Sequence, residues 1–169
     1  IGQYRYVMRI LVALSAFVWL SACGLQPMYA GGNSGAIAQG LGAIEVDPIE
    51  GQAGWLVRNE LRDRISAAPA SSPRYRLVVR LDDKLEGLGV LSDDTVGRER
   101  RTLRARYQLV EIATGDIALD ASAGADAGID VVSSEYATIA AEQTALENLS
   151  VEIANRIVRQ IALTLREPA

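Results

Sequence analysis

Between positions 98 and 106 the chain places five arginines: Arg98, Arg100, Arg101, Arg104 and Arg106. A guanidinium presents its donors as a planar fork that fits a phosphate or carboxylate two bonds at a time, so such a cluster is a candidate anion site. Arg76 and Arg80 recur at a strand-like spacing of their own and join the candidate set. The same arginines also fit a solvated strand face balanced across neighbouring strands by Asp82, Asp120 and Glu111. Other chemistry is scarce. Histidine is absent, which removes the commonest general base, the commonest metal ligand and any Ser-His-Asp or Cys-His arrangement. The acidic pairs Asp82-Asp83 and Asp93-Asp94 read as turn or loop residues, because neighbours on a strand would point opposite ways. No catalytic residue, metal or cofactor is expected, and the composition argues against an enzyme.

One other residue carries chemistry. Cys23 is the only cysteine, and it closes the run Leu20-Ser21-Ala22-Cys23. Upstream lie Met8-Arg9 and then Ile10–Leu20, in which Ser15 is the single polar residue. A short basic segment, an apolar stretch and small residues at a cleavage point make a secretory signal, too short to span a bilayer. Ending on cysteine, it matches a bacterial lipobox, in which the cysteine sulfur is diacylated and becomes the mature N-terminus. Residues 1–22 are therefore expected to be a lipoprotein signal peptide with its natural start at Met8. Gly24 after the cysteine, where aspartate would retain a lipoprotein at the inner membrane, favours the outer one.

The chain beyond that point, Cys23 to Ala169, is the length of one domain and can bury a core. Without Arg5 and Arg9 it holds 15 basic against 21 acidic residues, a net charge of −6. An acidic domain in this compartment is a poor partner for nucleic acid.

Six glycines and Pro27 between Gly24 and Gly42 predict a flexible tether over residues 23–42. The domain proper is expected over 43–169. Ala43–Ile49 alternates as a strand, and Gly51–Gly54 reads as a turn. Val57, Leu61 and Ile65 step by four on a helix over Trp55–Ala67. Trp55 itself is expected in the core. Arg74–Leu81 alternates cleanly, continues toward Leu91, and is followed by turn chemistry over Ser92–Gly97. Thr102–Ile112 and the run Ile117, Leu119, Ala121, Ala123 form strands joined by a tight turn at Thr114-Gly115-Asp116. Gly124–Gly128 reads as flexible. From Ser134 to Arg166 a single long helix is expected, with Leu146, Leu149, Ile153, Ile157, Ile161 and Leu165 on one stripe widened by Ile139 and Val158. The order predicts an α+β fold, two helices packed on one face of a mostly antiparallel sheet of about four strands. Arg104, Arg106, Arg76 and Arg80 would face away from the helices.

Cys23-Gly24-Leu25-Gln26-Pro27-Met28-Tyr29 resembles the mature start of the lipopolysaccharide-assembly lipoprotein family LptE, in the alphaproteobacterial-type branch carrying Cys-Gly-x-x-Pro-x-Tyr. Leu56-Val57-Arg58-Asn59-Glu60-Leu61 is similar to that family's first helix, and the element order matches over the mature chain. The resemblance implies an outer-membrane lipoprotein, anchored on the periplasmic side. It would plug the lumen of an LptD-type β-barrel, help it assemble, and contact lipopolysaccharide. Lipid A phosphates would be the target of the arginine face. An alternative with the same lipobox and a small α+β domain is the auxiliary lipoprotein of an ABC-type envelope lipid transporter.

Overall fold

A computed structural model describes residues 36–68, 72–90 and 96–166. The signal segment, Cys23, Gly24–Gly35 and the Asp93-Asp94 pair lie outside the described residues. In chain order the elements are α1 (Ala36–Gly42), β1 (Ile44–Val46), α2 (Gly51–Ser66), β2 (Tyr75–Val90), β3 (Val96–Glu111), β4 (Ile117–Asp130) and α3 (Glu135–Thr164). The four strands form one sheet in sequence order, with β1 parallel to β2 and the other two pairings antiparallel. The α+β class and the mostly antiparallel sheet are as the periodicity predicts.

Period-two burial decides which side the helices occupy. Leu77 and Val79 on β2, and Leu103, Ala105, Tyr107 and Leu109 on β3, are buried. Against them pack Val57, Leu61 and Ile65 of α2 and the stripe Leu146, Leu149, Ile153, Ile157 and Ile161 of α3. At thirty residues α3 is about 45 Å long, enough to run the length of the sheet. On β4 the inward positions Ala121, Ala123, Ala125 and Ala127 are all small, which lets the helix lie close to the strand. The two long helices run parallel: Gln52 donates to Gln143 and Arg64 to Asn155, both at a separation of 91 residues.

Several elements depart from the pattern-based expectation. Ala36–Gly42, expected to be part of a flexible tether, is a helix whose Leu41 is buried in the core. The described residues thus hold three helices where two were expected. Gly51–Gly54 is the first turn of α2 and not a connecting turn. A Cβ on Gly54 would stand 2.6 Å from the Ile49 carbonyl oxygen, so glycine is what lets the incoming chain lie against the helix. Trp55 is 64% exposed and outside the core. Asp82 and Asp83 sit within β2, on opposite faces, and not in a turn. Gly124–Gly128 is strand, because pairing with β3 supplies an order that Gly and Ala lack on their own. A register irregularity at Leu109/Val110 sets Ile117 opposite Val110, so Ile117 leaves the inward row and is exposed. Ile139 is likewise exposed on α3.

Ile157, in the last third of α3, belongs to the core and has no exposed surface. Ile157→Ala should lower unfolding free energy by roughly 2–5 kcal/mol, whereas Ile139→Ala should stay within about 0.5 kcal/mol. Urea denaturation of both variants checks this, and equal losses would contradict the burial pattern.

Candidate functional site

Among the described residues the helices lie on one side only, the other face of the sheet is open, and the even-numbered positions of β2 and β3 point into it. The register builds this face row by row. Arg80 stands directly opposite Arg106, Asp82 opposite Arg104, Glu86 opposite Arg100 and Leu88 opposite Arg98. On the far side of β3, Arg98 faces Asp130, Arg100 faces Gly128, Arg104 faces Gly124 and Arg106 faces Ser122. Because β3 starts at Val96, six of the seven nominated arginines (Arg76, Arg80, Arg98, Arg100, Arg104 and Arg106) share one surface.

Arg101 does not. It has the parity of Leu103 and Ala105 and turns toward the helices. There its Nε and Nη2 bind the two oxygens of Asp83 at 2.9 and 2.7 Å, and Nη1 donates to the Glu142 carbonyl of α3 at 3.1 Å. Only 15% of its side chain is exposed. The hydrogen bonds it donates to Asp83 hold the Arg101 guanidinium above its ordinary pKa against the opposing cost of burial. Arg101 is a clamp joining the far half of the hairpin to α3, with its donors already committed.

On the open face some cations are neutralised and others are not. Arg106 donates to Asp120 at 3.1 Å, and Gln108 donates to the same carboxylate at 2.9 Å. Those two bonds, Gln108 first, pull the Asp120 pKa below the usual carboxylate range. Arg98 pairs with Asp130 at 3.0 Å and Arg76 with Asp47 at 3.8 Å. Asp82 turns to Lys84 at 3.3 Å although Arg104 is its cross-strand neighbour. Among the described residues Arg80, Arg100 and Arg104 have no acidic partner within ion-pair distance. Arg104 lies across Gly124, its Nη1 only 3.1 Å from where a Cβ would be. Between Arg80 and Arg106 lies a hollow of 280 Å³ lined by Val78, Arg80, Arg106, Tyr107 and Gln108. Like charges set directly opposite on a sheet are unfavourable, and an anion bridging them would relieve the repulsion.

The model of the lipopolysaccharide-assembly family LptE matches residues 41–161. The chain belongs to the LptE family. Among solved structures it is similar to a putative lipoprotein from Caulobacter crescentus, at 25% identity and a TM-score of 0.64, covering 79% of this chain and 100% of that one. It also resembles a minor lipoprotein from Acinetobacter baumannii, at 14% identity and a TM-score of 0.56, covering 71% and 90% of the two chains. The rare lipoprotein B of Shewanella oneidensis shares the fold at 12% identity and a TM-score of 0.52, with 72% and 93% covered. Comparison with curated proteins gives no match. The LptE match begins just before β1 and ends within α3, so it spans every strand that builds the open face.

Sequence periodicity finds the arginines of this face but not their pairing. Extending the alternation of Leu103 and Ala105 back by one step already places Arg101 on the inner side. Arg101→Ala should cost roughly 1–3 kcal/mol, because it strands the Asp83 carboxylate, while Arg104→Ala should change stability by less than about 0.5 kcal/mol. Chemical denaturation of the two variants measures the difference, and a neutral Arg101→Ala would remove the clamp.

Proposed function

We infer that this LptE-family protein is a lipid-anchored binding and assembly module of the outer membrane and not an enzyme. Acyl chains on Cys23 tether it to the periplasmic side of that membrane, and it works as plug and assembly partner of an LptD-type β-barrel. Its open sheet face contacts lipopolysaccharide. The observation that carries the contact is the pair Arg80 and Arg106, set opposite one another, with Arg80, Arg100 and Arg104 unneutralised. Lipid A offers phosphates, which are the anions a guanidinium fork binds best. The rows of Arg100 and Arg104 are about 13 Å apart at strand rise, so the face can take more than one anionic group of a single large ligand. Arg98 and Arg76 sit at its two ends with acids of their own, and Arg106 shares Asp120. Arg101, held by Asp83 and Glu142, takes no part in binding.

The family match supports the barrel partnership, and a compact domain with a charged face suits the polar interior of a large outer-membrane barrel. Affinity capture of the tagged full-length lipoprotein from detergent-solubilised envelopes should bring down a large β-barrel in stoichiometric amount. Recovery of an inner-membrane permease complex would instead favour the auxiliary lipoprotein of an ABC-type lipid transporter.

For the ligand, the triple variant Arg80→Ala, Arg100→Ala and Arg104→Ala should bind purified lipopolysaccharide at least about tenfold more weakly than wild type, since each charge-assisted bond contributes about 1.5–3 kcal/mol. Its circular dichroism and melting midpoint should be unchanged. Equal binding by the triple variant would return the arginines to the role of a solvated sheet face.

A further inference from the structure

Among the described residues both outer edges of the sheet are free of a neighbouring strand, and each is touched by one helix arginine. Arg58 Nη2 of α2 donates to the Val46 carbonyl of β1 at 3.4 Å, and Arg156 Nη1 of α3 donates to the Gly124 carbonyl of β4. The edges otherwise differ. β1 is three residues long, and a strand that short offers little to pair with. β4 has fourteen residues, and within Ile117–Asp130 it contains no proline, lysine or arginine. Those are the residues with which natural sheets blunt an exposed edge.

The hydrogen bond from Val131 N–H to the Gly97 carbonyl fixes which peptide groups of β4 are spoken for. Odd-numbered residues face β3, and even-numbered residues turn their N–H and C=O outward. Gly124 is outward and capped by Arg156. Beyond it Asp126, Gly128 and Asp130 present their peptide groups in sequence, with no protein partner for them among the described residues. Alongside this stretch, a groove of 540 Å³ runs between β4 and the first half of α3. Its walls include Ala127, Ile129, Ala140, Ala141, Thr144 and Ala145. Nearby in the chain, Val132, Tyr136 and Ile139 are exposed, Tyr136 to 88%. On the opposite side of the same edge stand the carboxylates of Asp126 and Asp130, and Asp126 has no ion-pair partner among the described residues.

We propose that the Asp126–Asp130 edge of β4 is a docking site for an extended segment of a partner protein, which adds to the sheet as a fifth strand. The ladder requires alternation in the incoming strand. Its inward side chains are small or branched apolar groups that fill the groove, and its outward ones are basic and meet the Asp126 carboxylate, Asp130 being already paired with Arg98. A second copy of this chain fits poorly, because antiparallel pairing of two β4 edges would gather Asp120, Asp126 and Asp130 from both copies on one surface. The incoming strand would run beside the arginine face, where Arg98 already holds Asp130, but the peptide ladder itself uses no arginine of that face and does not depend on its ligand.

The test uses the full-length lipidated protein in detergent and an eight-residue acetylated, amidated peptide alternating lysine and valine. Hydrogen exchange should slow at the amides of Asp126, Gly128 and Asp130 when the peptide is added. A peptide of the same composition in the order Lys-Lys-Val-Val should protect them at least tenfold less. Gly128→Pro deletes one outward N–H at a position where a Cβ meets nothing within 4 Å, so binding should fall at least tenfold while the fold survives. Asp126→Lys, which alters only an exposed side chain, should weaken binding similarly. Absence of protection, equal binding by both variants, or protection that appears without peptide as the protein concentration rises would each overturn the proposal.

Discussion

A sheet covered by helices on one side only must carry two incompatible surfaces on the same strands, and that constraint organises this molecule. Each residue of β2 and β3 is committed by parity either to a dry interface with α2 and α3 or to solvent. Leu77, Val79, Leu103, Ala105, Tyr107 and Leu109 fill the first side and the arginines the second. Tyr107 shows how firm the division is, since burial raises its hydroxyl pKa although its chain neighbours are an exposed arginine and a half-buried glutamine. A slip of one residue would drive Arg104 and Arg106 into the core, so the register is fixed by the cost of burying charge.

The clamp at Arg101 sits where that division weakens. Toward the hairpin end the inner row changes from apolar side chains to Arg101 and Asp83, and α3 meets them through a backbone carbonyl. A polar contact there holds the far part of a long hairpin to the helix layer without an apolar core beneath it. The same local change leaves Arg98 and Arg100 on the open side of a strand whose inner side is no longer hydrophobic. The arginine face therefore extends further than the core that supports it.

Much of this was legible from periodicity. The α3 stripe, the inward rows of β2 and β3, and the turn at Gly115, whose φ is +79°, all follow from side-chain spacing and turn chemistry. The failures have physical reasons. Helix α1 is hidden in a glycine-rich stretch because its order comes from packing, as where Gly40 admits the Leu165 side chain. Strand β4 past Ala123 has almost no intrinsic strand preference and exists through its partner. The displacement of Ile117 depends on one irregularity between Leu109 and Val110 that no alternation reveals. Which arginines remain unneutralised could not be read at all, because it depends on Asp82 choosing Lys84 and Asp120 choosing Arg106.

The parallel course of α2 and α3 has an electrostatic consequence. Helices following β1 and β4, two strands of the same direction, return the same way and bring like poles together. Each N-terminus carries roughly half a positive charge, and because Gln52 meets Gln143 the α3 terminus at Glu135 stands about 12 Å beyond that of α2. Their mutual repulsion is opposed by the bonds from Gln52 to Gln143 and from Arg64 to Asn155. Both positive poles lie toward the end of the sheet where Arg98 and Arg100 stand, and both negative poles lie toward the other end. The domain thus has a built-in polarity along its long axis, giving an approaching anion one preferred end.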